Sequence, residues 1–376
     1  MKLYGNAAVS EFLDDNVIYR NLKPIDERLP SLDDLREMVG LPSGLIPRKS
    51  TPKYAQVVAE ILTAARRLDA PGTSIERVVF IGDTRLNDST AFANICRAGN
   101  WPGRAFIGSE NDDRKTIEFD MLDIGMVMAA NKWNALVDFE DYLAEQEFPI
   151  DENTAVLLDL DKTTLGARGR NDQVINQARV DAAVQVVKDV LGVKFDAQEF
   201  QNIYDHFNQV EFHPFTTDNQ DYLVYVSLIV GSGLYTSEGL EEAINGAEIE
   251  TFGSFLQQVD RRLAELPPEL HDIHDDVYHR YQAGDPTPFK AFRRAEFIAT
   301  AARMGQTESA VTVEDLLSRK IVLTHEVRQL MLAWRNQGAL LFGLSDKPDE
   351  ASIPTEEMAY QGHQPIHRIV TSVVGV

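Results

Sequence analysis

The chain has little cysteine, a deficit of positive charge and no long apolar run. Cys96 is the only cysteine in 376 residues, so no internal disulfide can form and stability must come from packing. Lys and Arg number 36 against 59 Asp and Glu, a formal net charge of −23. Such a balance repels a phosphate backbone and sets aside general nucleic-acid binding. The longest apolar stretch, Tyr222 to Tyr235, is interrupted by Ser and Gly and falls short of the roughly 20 residues a membrane helix needs. Met1 to Ser10 lacks the basic, apolar and small-residue succession of a secretory leader, and with the lone cysteine this predicts a cytoplasmic setting. What is there is ordinary for a globular chain, 44% hydrophobic and 25% charged. At about 150 residues per domain, the length predicts two or three domains.

Three short apolar runs read as buried strands, because each is too short for a helix and ends in a polar cluster. They are Arg77 to Ile81, Ala155 to Leu158 and Ala339 to Leu344, followed by Gly82-Asp83-Thr84-Arg85-Leu86-Asn87-Asp88, Asp159-Leu160-Asp161-Lys162-Thr163 and Ser345-Asp346-Lys347-Pro348. Helical periodicity precedes two of them, in Lys53 to Leu68 and Thr324 to Gln337, and follows the first in Ser89 to Arg97. The alternation predicts an α/β fold with a doubly wound parallel sheet, in which ligands bind beyond the carboxyl ends of the strands. Between the second and third strands, roughly Arg168 to Arg319, helical patterns such as Ala178 to Val190 and Pro288 to Met304 predict a separate helical domain. Pro267-Pro268 and Gly284-Asp285-Pro286 are its internal breaks.

Asp159 and Asp161 stand two residues apart at a strand end, and strand alternation would aim both to one side. Paired carboxylates attract a hard divalent cation such as Mg²⁺, which prefers oxygen ligands and calls for a third carboxylate, with Asp83 and Asp88 as candidates. The competing reading is that these acids only cap the following helix.

The run from Ala155 to Leu165, AVLLDLDKTTL, resembles motif I of the haloacid dehalogenase-like (HAD) phosphohydrolases, an apolar strand followed by D-x-D-x-T. Leu340 to Ser345 resembles motif II, Val78 to Asp83 with Asp88 resembles motif IV in its G-D-x-x-x-x-D form, and Arg48-Lys49-Ser50-Thr51-Pro52 before a long helix resembles the motif III lysine. The family runs I, II, III, IV, whereas this chain runs III, IV, I, II. The resemblance therefore implies a circular permutation, with the natural ends joined near Gln146 to Asn153; permutation is cheap when ends are exposed and adjacent. It implies an HAD-like core over residues 1–167 and 324–376 and a large α-helical cap over 168–323. Cys96 to Gly108 reads as the loop and strand after motif IV, and Lys132 to Glu145 as the closing helix of the core.

The resemblance implies a Mg²⁺-dependent phosphatase acting on a small phosphate monoester. Asp159 would be the nucleophile, forming an aspartyl-phosphate, and Asp161 the general acid and then base. The carboxylates of Asp159 and Asp83 and the backbone carbonyl of Asp161 would hold the metal, with Asp88 assisting. Ser345 and Lys49 would contact the transferring phosphoryl group. Thr163 would support the motif I turn and its phosphate contacts, and Arg168 and Arg170 are candidates for an anionic substrate. Lys49 is preferred as the motif III lysine, with Lys53 its competitor, although Ser50 stands where the family usually has proline.

Other polar groups favour structural readings. His271, His274 and His279, interleaved with Asp272, Asp275 and Asp276, match no zinc spacing and predict a solvated acidic helix. Lys290, Arg293 and Arg294 predict exposed helix charge, and His363 and His367 surface or packing roles. Asp346 and Lys347 predict a helix-start turn, and Gly166 a hinge where the helical segment leaves the core. The rival functions are a phosphomutase and a non-catalytic binding or scaffold module retaining the fold.

Overall fold

The computed structural model describes residues 1–306 and 311–376. Ten strands are described: β1 (Lys2–Ala7), β2 (Val17–Ile18), β3 (Arg77–Gly82), β4 (Gly103–Gly108), β5 (Ile117–Met121), β6 (Gly125–Ala130), β7 (Thr154–Asp159), β8 (Leu323–Thr324), β9 (Leu340–Leu344) and β10 (Thr371–Gly375). Seven form one sheet in the order β2-β9-β7-β3-β4-β6-β5. Every neighbouring pair is parallel except β5 with β6. The three apolar runs read from the sequence are β3, β7 and β9, and they lie side by side at the centre.

These strands are apolar on both faces because the sheet is covered on both. Val78, Phe80, Ala155, Leu157 and Phe342 share one core cluster with Val57, Val58, Ile61 and Leu62 of the Pro52–Asp69 helix. The alternate residues Val79, Ile81, Val156, Leu158 and Leu341 are equally buried. Full burial of a side chain of this size stabilises by about 2 kcal/mol. The Pro52–Asp69 helix starts where the sequence dictates: Thr51 caps it by accepting from the Tyr54 amide, and Pro52 occupies a position whose missing N–H costs nothing. Asn87–Gly99 ends on Asn100 in the left-handed region at φ 55°.

A three-stranded sheet, β1-β10-β8, brings β1 and β10 together, with β10 antiparallel to β1 and parallel to β8.

The chain divides into two compact units, Met1–Gln177 with Thr300–Val376, and Ala178–Ala299. The second unit is helical, and its core gathers Phe207, Tyr225, Phe252, Phe255 and Phe292, all within 1% of complete burial. It contains the His271–Gln282 helix, on which Asp272, Asp275, Asp276 and His279 are exposed as expected of a solvated acidic helix, while His274 is fully buried. His274 Nδ1 pairs with the Tyr225 hydroxyl at 2.6 Å, which makes it a core histidine. Arg293 also departs from expectation: rather than exposed charge it is buried against Asp221 and Glu296, while its neighbour Arg294 is exposed. Among the described residues no helix is long and apolar enough to cross a membrane.

Candidate functional site

Three carboxylates come together at the carboxyl ends of adjacent strands. Asp159 is the last residue of β7, and Asp83 follows directly on β3. Asp88 opens the Asn87–Gly99 helix and turns back to the same place. One oxygen from each of Asp83, Asp88 and Asp159 lies within 4.8 Å of the others, and all three residues are buried.

Asp88 fixes the geometry. Its Oδ2 accepts from the Asp83 amide at 3.0 Å, the Thr84 amide at 2.9 Å and the Thr84 hydroxyl at 2.7 Å. Its Oδ1 accepts from Lys49 Nζ at 2.8 Å. Gly82 is required here for space, since a Cβ at that position would fall 2.7 Å from the Asp88 carboxylate. Thr84 carries no signal in the sequence beyond following Gly-Asp, and its double contribution is visible only in the fold.

Lys49 is 3% exposed and bridges the acids, with Nζ 2.5 Å from Asp159 Oδ1 as well as touching Asp88. Lys53, its competitor, instead donates to the Val39 carbonyl. Lys49 is thus the lysine that the fold brings to the carboxylates. Arg168 donates from Nε to Asp83 Oδ2.

Asp161 stands outside the three-acid cluster. The chain leaves β7, and Lys162 adopts φ 62°, so the extended geometry that would have kept both aspartates on one side ends within a few residues. The Asp161 Oδ2 instead accepts from Ser345 Oγ at 3.3 Å, and Ser345 Oγ accepts from the Lys347 amide at 3.0 Å. Ser345 follows β9, the strand paired with β7, which is why these two residues meet.

Two expected substrate contacts are placed elsewhere. Arg170 has a fully buried side chain that bonds Glu110 and Glu326, so its charge is spent within the protein rather than offered to an anion. Thr163 is fully buried in the turn, with its carbonyl accepting from Thr324 Oγ1 at 2.7 Å. His367 is buried between Tyr19 and Asp15 and serves packing. A cavity of about 670 Å³ lined by residues including Arg170, Gln173, Arg303 and Arg319 contains none of the clustered carboxylates among its lining.

Crowding sets the proton affinities. Burial, reinforced by Asp88, pushes Asp83 up to about 6 against the pull of Arg168. Burial likewise raises Asp159 well above the carboxylate range despite Lys49 beside it. Asp88 goes the other way: burial opposes its charge, but Lys49 and Thr84 outweigh that and hold it low. Burial also opposes the Lys49 charge, and Asp159 and Asp88 override it, leaving the ammonium protonated. Three carboxyl groups thus share one buried ammonium, and burial favours the protonated form of Asp159 and Asp83.

The donor set fits a hard divalent cation. Asp83 Oδ1 and Asp159 Oδ2 accept no hydrogen bond from the described residues, whereas both oxygens of Asp88 are taken. Asp83 and Asp159 would thus be direct ligands, with water completing the shell, and Asp88 their support.

No family model, curated protein or solved structure matches this chain. The site must be read from its own geometry.

Proposed function

We propose that the chain is a Mg²⁺-dependent phosphatase that hydrolyses a small phosphate monoester through an aspartyl-phosphate on Asp159. The observation that carries this reading is the convergence of Asp159, Lys49, Asp83 and Asp88, from three separated segments, at the carboxyl ends of adjacent parallel strands, with Asp161 just beyond β7 bonded to Ser345 at the end of the next strand, β9. It agrees with the HAD resemblance in the permuted order III, IV, I, II.

Asp159 attacks phosphorus, so hydrolysis is split into formation and breakdown of an acyl phosphate. Asp161, partly exposed and hydrogen-bonded to Ser345, gives a proton to the departing alkoxide and takes one from the attacking water in the second step. Ser345 donates to a phosphoryl oxygen when its hydroxyl turns from Asp161. Lys49 offsets charge on nucleophile and phosphoryl group, which is most valuable in a buried site. Asp83 and Asp159 would hold a Mg²⁺ ion, which when bound would supply Lewis-acid neutralisation of the phosphoryl oxygens and favour the ionised form of Asp159.

The test is phosphate release across a panel of phosphate monoesters, with and without Mg²⁺, by the native chain and Asp159→Asn. Turnover that needs both the metal and the carboxylate supports the reading. A well-folded, metal-binding protein that releases no phosphate from any ester favours the non-catalytic module, the reading that the internally paired charges of Lys49 and Arg168 would suit.

A further inference from the structure

We propose that Arg168 is a resident counter-cation of the carboxylate cluster: it occupies Asp83 when no metal is bound, yields it to a divalent cation, and then turns to the oxyanion of the substrate. The inference rests on the phosphatase reading and adds to it an order, since metal and anion then reinforce each other's binding.

The position of Arg168 is built. Its amide donates to the Lys162 carbonyl at 2.6 Å, and its own carbonyl accepts from the Glu110 amide at 2.9 Å and from Trp133 Nε1 at 3.2 Å. Trp133 is itself completely buried. The next residue, Gly169, has φ 75°, and a Cβ there would fall 1.9 Å from the Glu110 carbonyl oxygen, so the chain passes only as glycine. The Arg168 backbone is therefore fixed beside the site, and movement is left to its side-chain torsions.

The side chain is placed to move. It is 37% exposed while its partner Asp83 is 6% exposed, so the guanidinium has solvent on one side and a buried acid on the other. Lys49, 4% exposed and held by two carboxylates, has no such freedom. Three carboxyl groups share one buried ammonium, and Arg168 pairs with Asp83, the one of the three that Lys49 does not bond. A divalent cation on Asp83 would set two positive centres on one carboxylate, a repulsion strong in a site shielded from water. Arginine cannot escape by losing its proton, so it must swing. Its planar fork then suits the oxygens of a phosphoryl group, which it meets as charge-assisted donors. By linkage, whatever factor the oxyanion adds to metal affinity, the metal adds to oxyanion affinity.

The experiment is Mn²⁺ binding to the full chain, read from the electron paramagnetic resonance of free Mn²⁺, with and without inorganic phosphate. Native protein, Arg168→Gln, Arg168→Lys, Asp83→Asn and Asp159→Asn are compared. The native chain should bind Mn²⁺ on the order of tenfold more tightly when phosphate is present. Arg168→Gln should bind Mn²⁺ alone more tightly than native by a similar factor and gain little from phosphate, and Arg168→Lys should fall between. Arg168→Gln binding Mn²⁺ no more tightly than native, while Asp83→Asn weakens it, overturns the inference and leaves the phosphatase reading standing. Mn²⁺ binding that is absent, or indifferent to Asp83→Asn and Asp159→Asn alike, overturns both.

Discussion

Each of the two units buries a group of charged side chains, and the two groups differ in their balance. In the helical unit, Arg293 contacts Asp221 at 2.5 Å and Glu296 at 2.7 Å, and Arg179 reaches Glu296 at 3.2 Å. Two cations meet two anions, and the second Asp221 oxygen accepts from the Phe289 amide. Nothing there is left to bind. In the α/β unit, Lys49 and Arg168 face three carboxyl groups, Asp83, Asp88 and Asp159, and two of the carboxyl oxygens accept no hydrogen bond from the described residues. Buried charge by itself therefore marks no site. More carboxyl groups than cations, with acceptor atoms unspent, distinguishes a group arranged for a ligand from one arranged for a fold.

The comparison is broken most sharply by removing one charge from each group. Asp159→Asn should abolish phosphate release, a loss of at least about a thousandfold in keeping with removal of a nucleophile, yet urea denaturation should find the protein as stable as before or more so, because the change removes one of three crowded carboxyl groups that burial already disfavours in ionised form. Arg293→Ala should do the opposite to stability. It strands Asp221 and Glu296 in the core and should cost about 3–5 kcal/mol in the same denaturation experiment. Gly82→Ala falls between the two kinds of effect: its methyl group displaces the Asp88 carboxylate, and overpacking of this sort costs about 1–3 kcal/mol, with Mn²⁺ affinity reduced alongside.

Two buried histidines, one in each unit, extend the comparison to pH. Burial lowers His274 despite Asp260 nearby, and lowers His367 despite Asp15. Each stays neutral when folded at a pH where the unfolded chain has begun to take up a proton. Unfolding then binds protons, so stability is full above the ordinary histidine value of about 6.5 and declines as the pH falls below it, by up to about 1.4 kcal/mol per pH unit for each histidine. Denaturation at pH 7 and pH 5 should show this loss, and His274→Gln should reduce the slope. The smallest effect belongs to Arg294→Ala, next to Arg293 but exposed, which should change stability by less than about 0.5 kcal/mol.

Much of this site was legible in the sequence because it sits where local patterns are strongest. The apolar runs before Asp83, Asp159 and Ser345 are strands, and they are neighbours in one sheet. Lys49 was found by its place before a helix whose cap and proline are sequence signals. The rest depended on long-range pairing, which leaves no periodicity. β8 is two residues long, and β1 is exposed along nearly its whole length, so neither shows the alternation of a half-buried strand. Arg170 and Arg168 look alike in the sequence, two residues apart. Only the fold shows that one faces Glu110 and Glu326 and the other Asp83. His274 and Arg293 were misread for a related reason: polar spacing on a helix does not reveal which acid or hydroxyl another helix will bring to meet it.

The saturation of Asp88 sets a rule about what may replace it. An asparagine has the same shape, but its two ends differ, one donating and one accepting. Turned one way, its amide hydrogens confront the backbone amides of Asp83 and Thr84; turned the other way, they confront the ammonium of Lys49. Either orientation sets donor against donor, so the position is frustrated for any side chain that is not an acceptor at both ends. Residue 88 is therefore constrained by polarity as well as by space, and a substitution that conserves size would be less tolerated there than its modest appearance suggests.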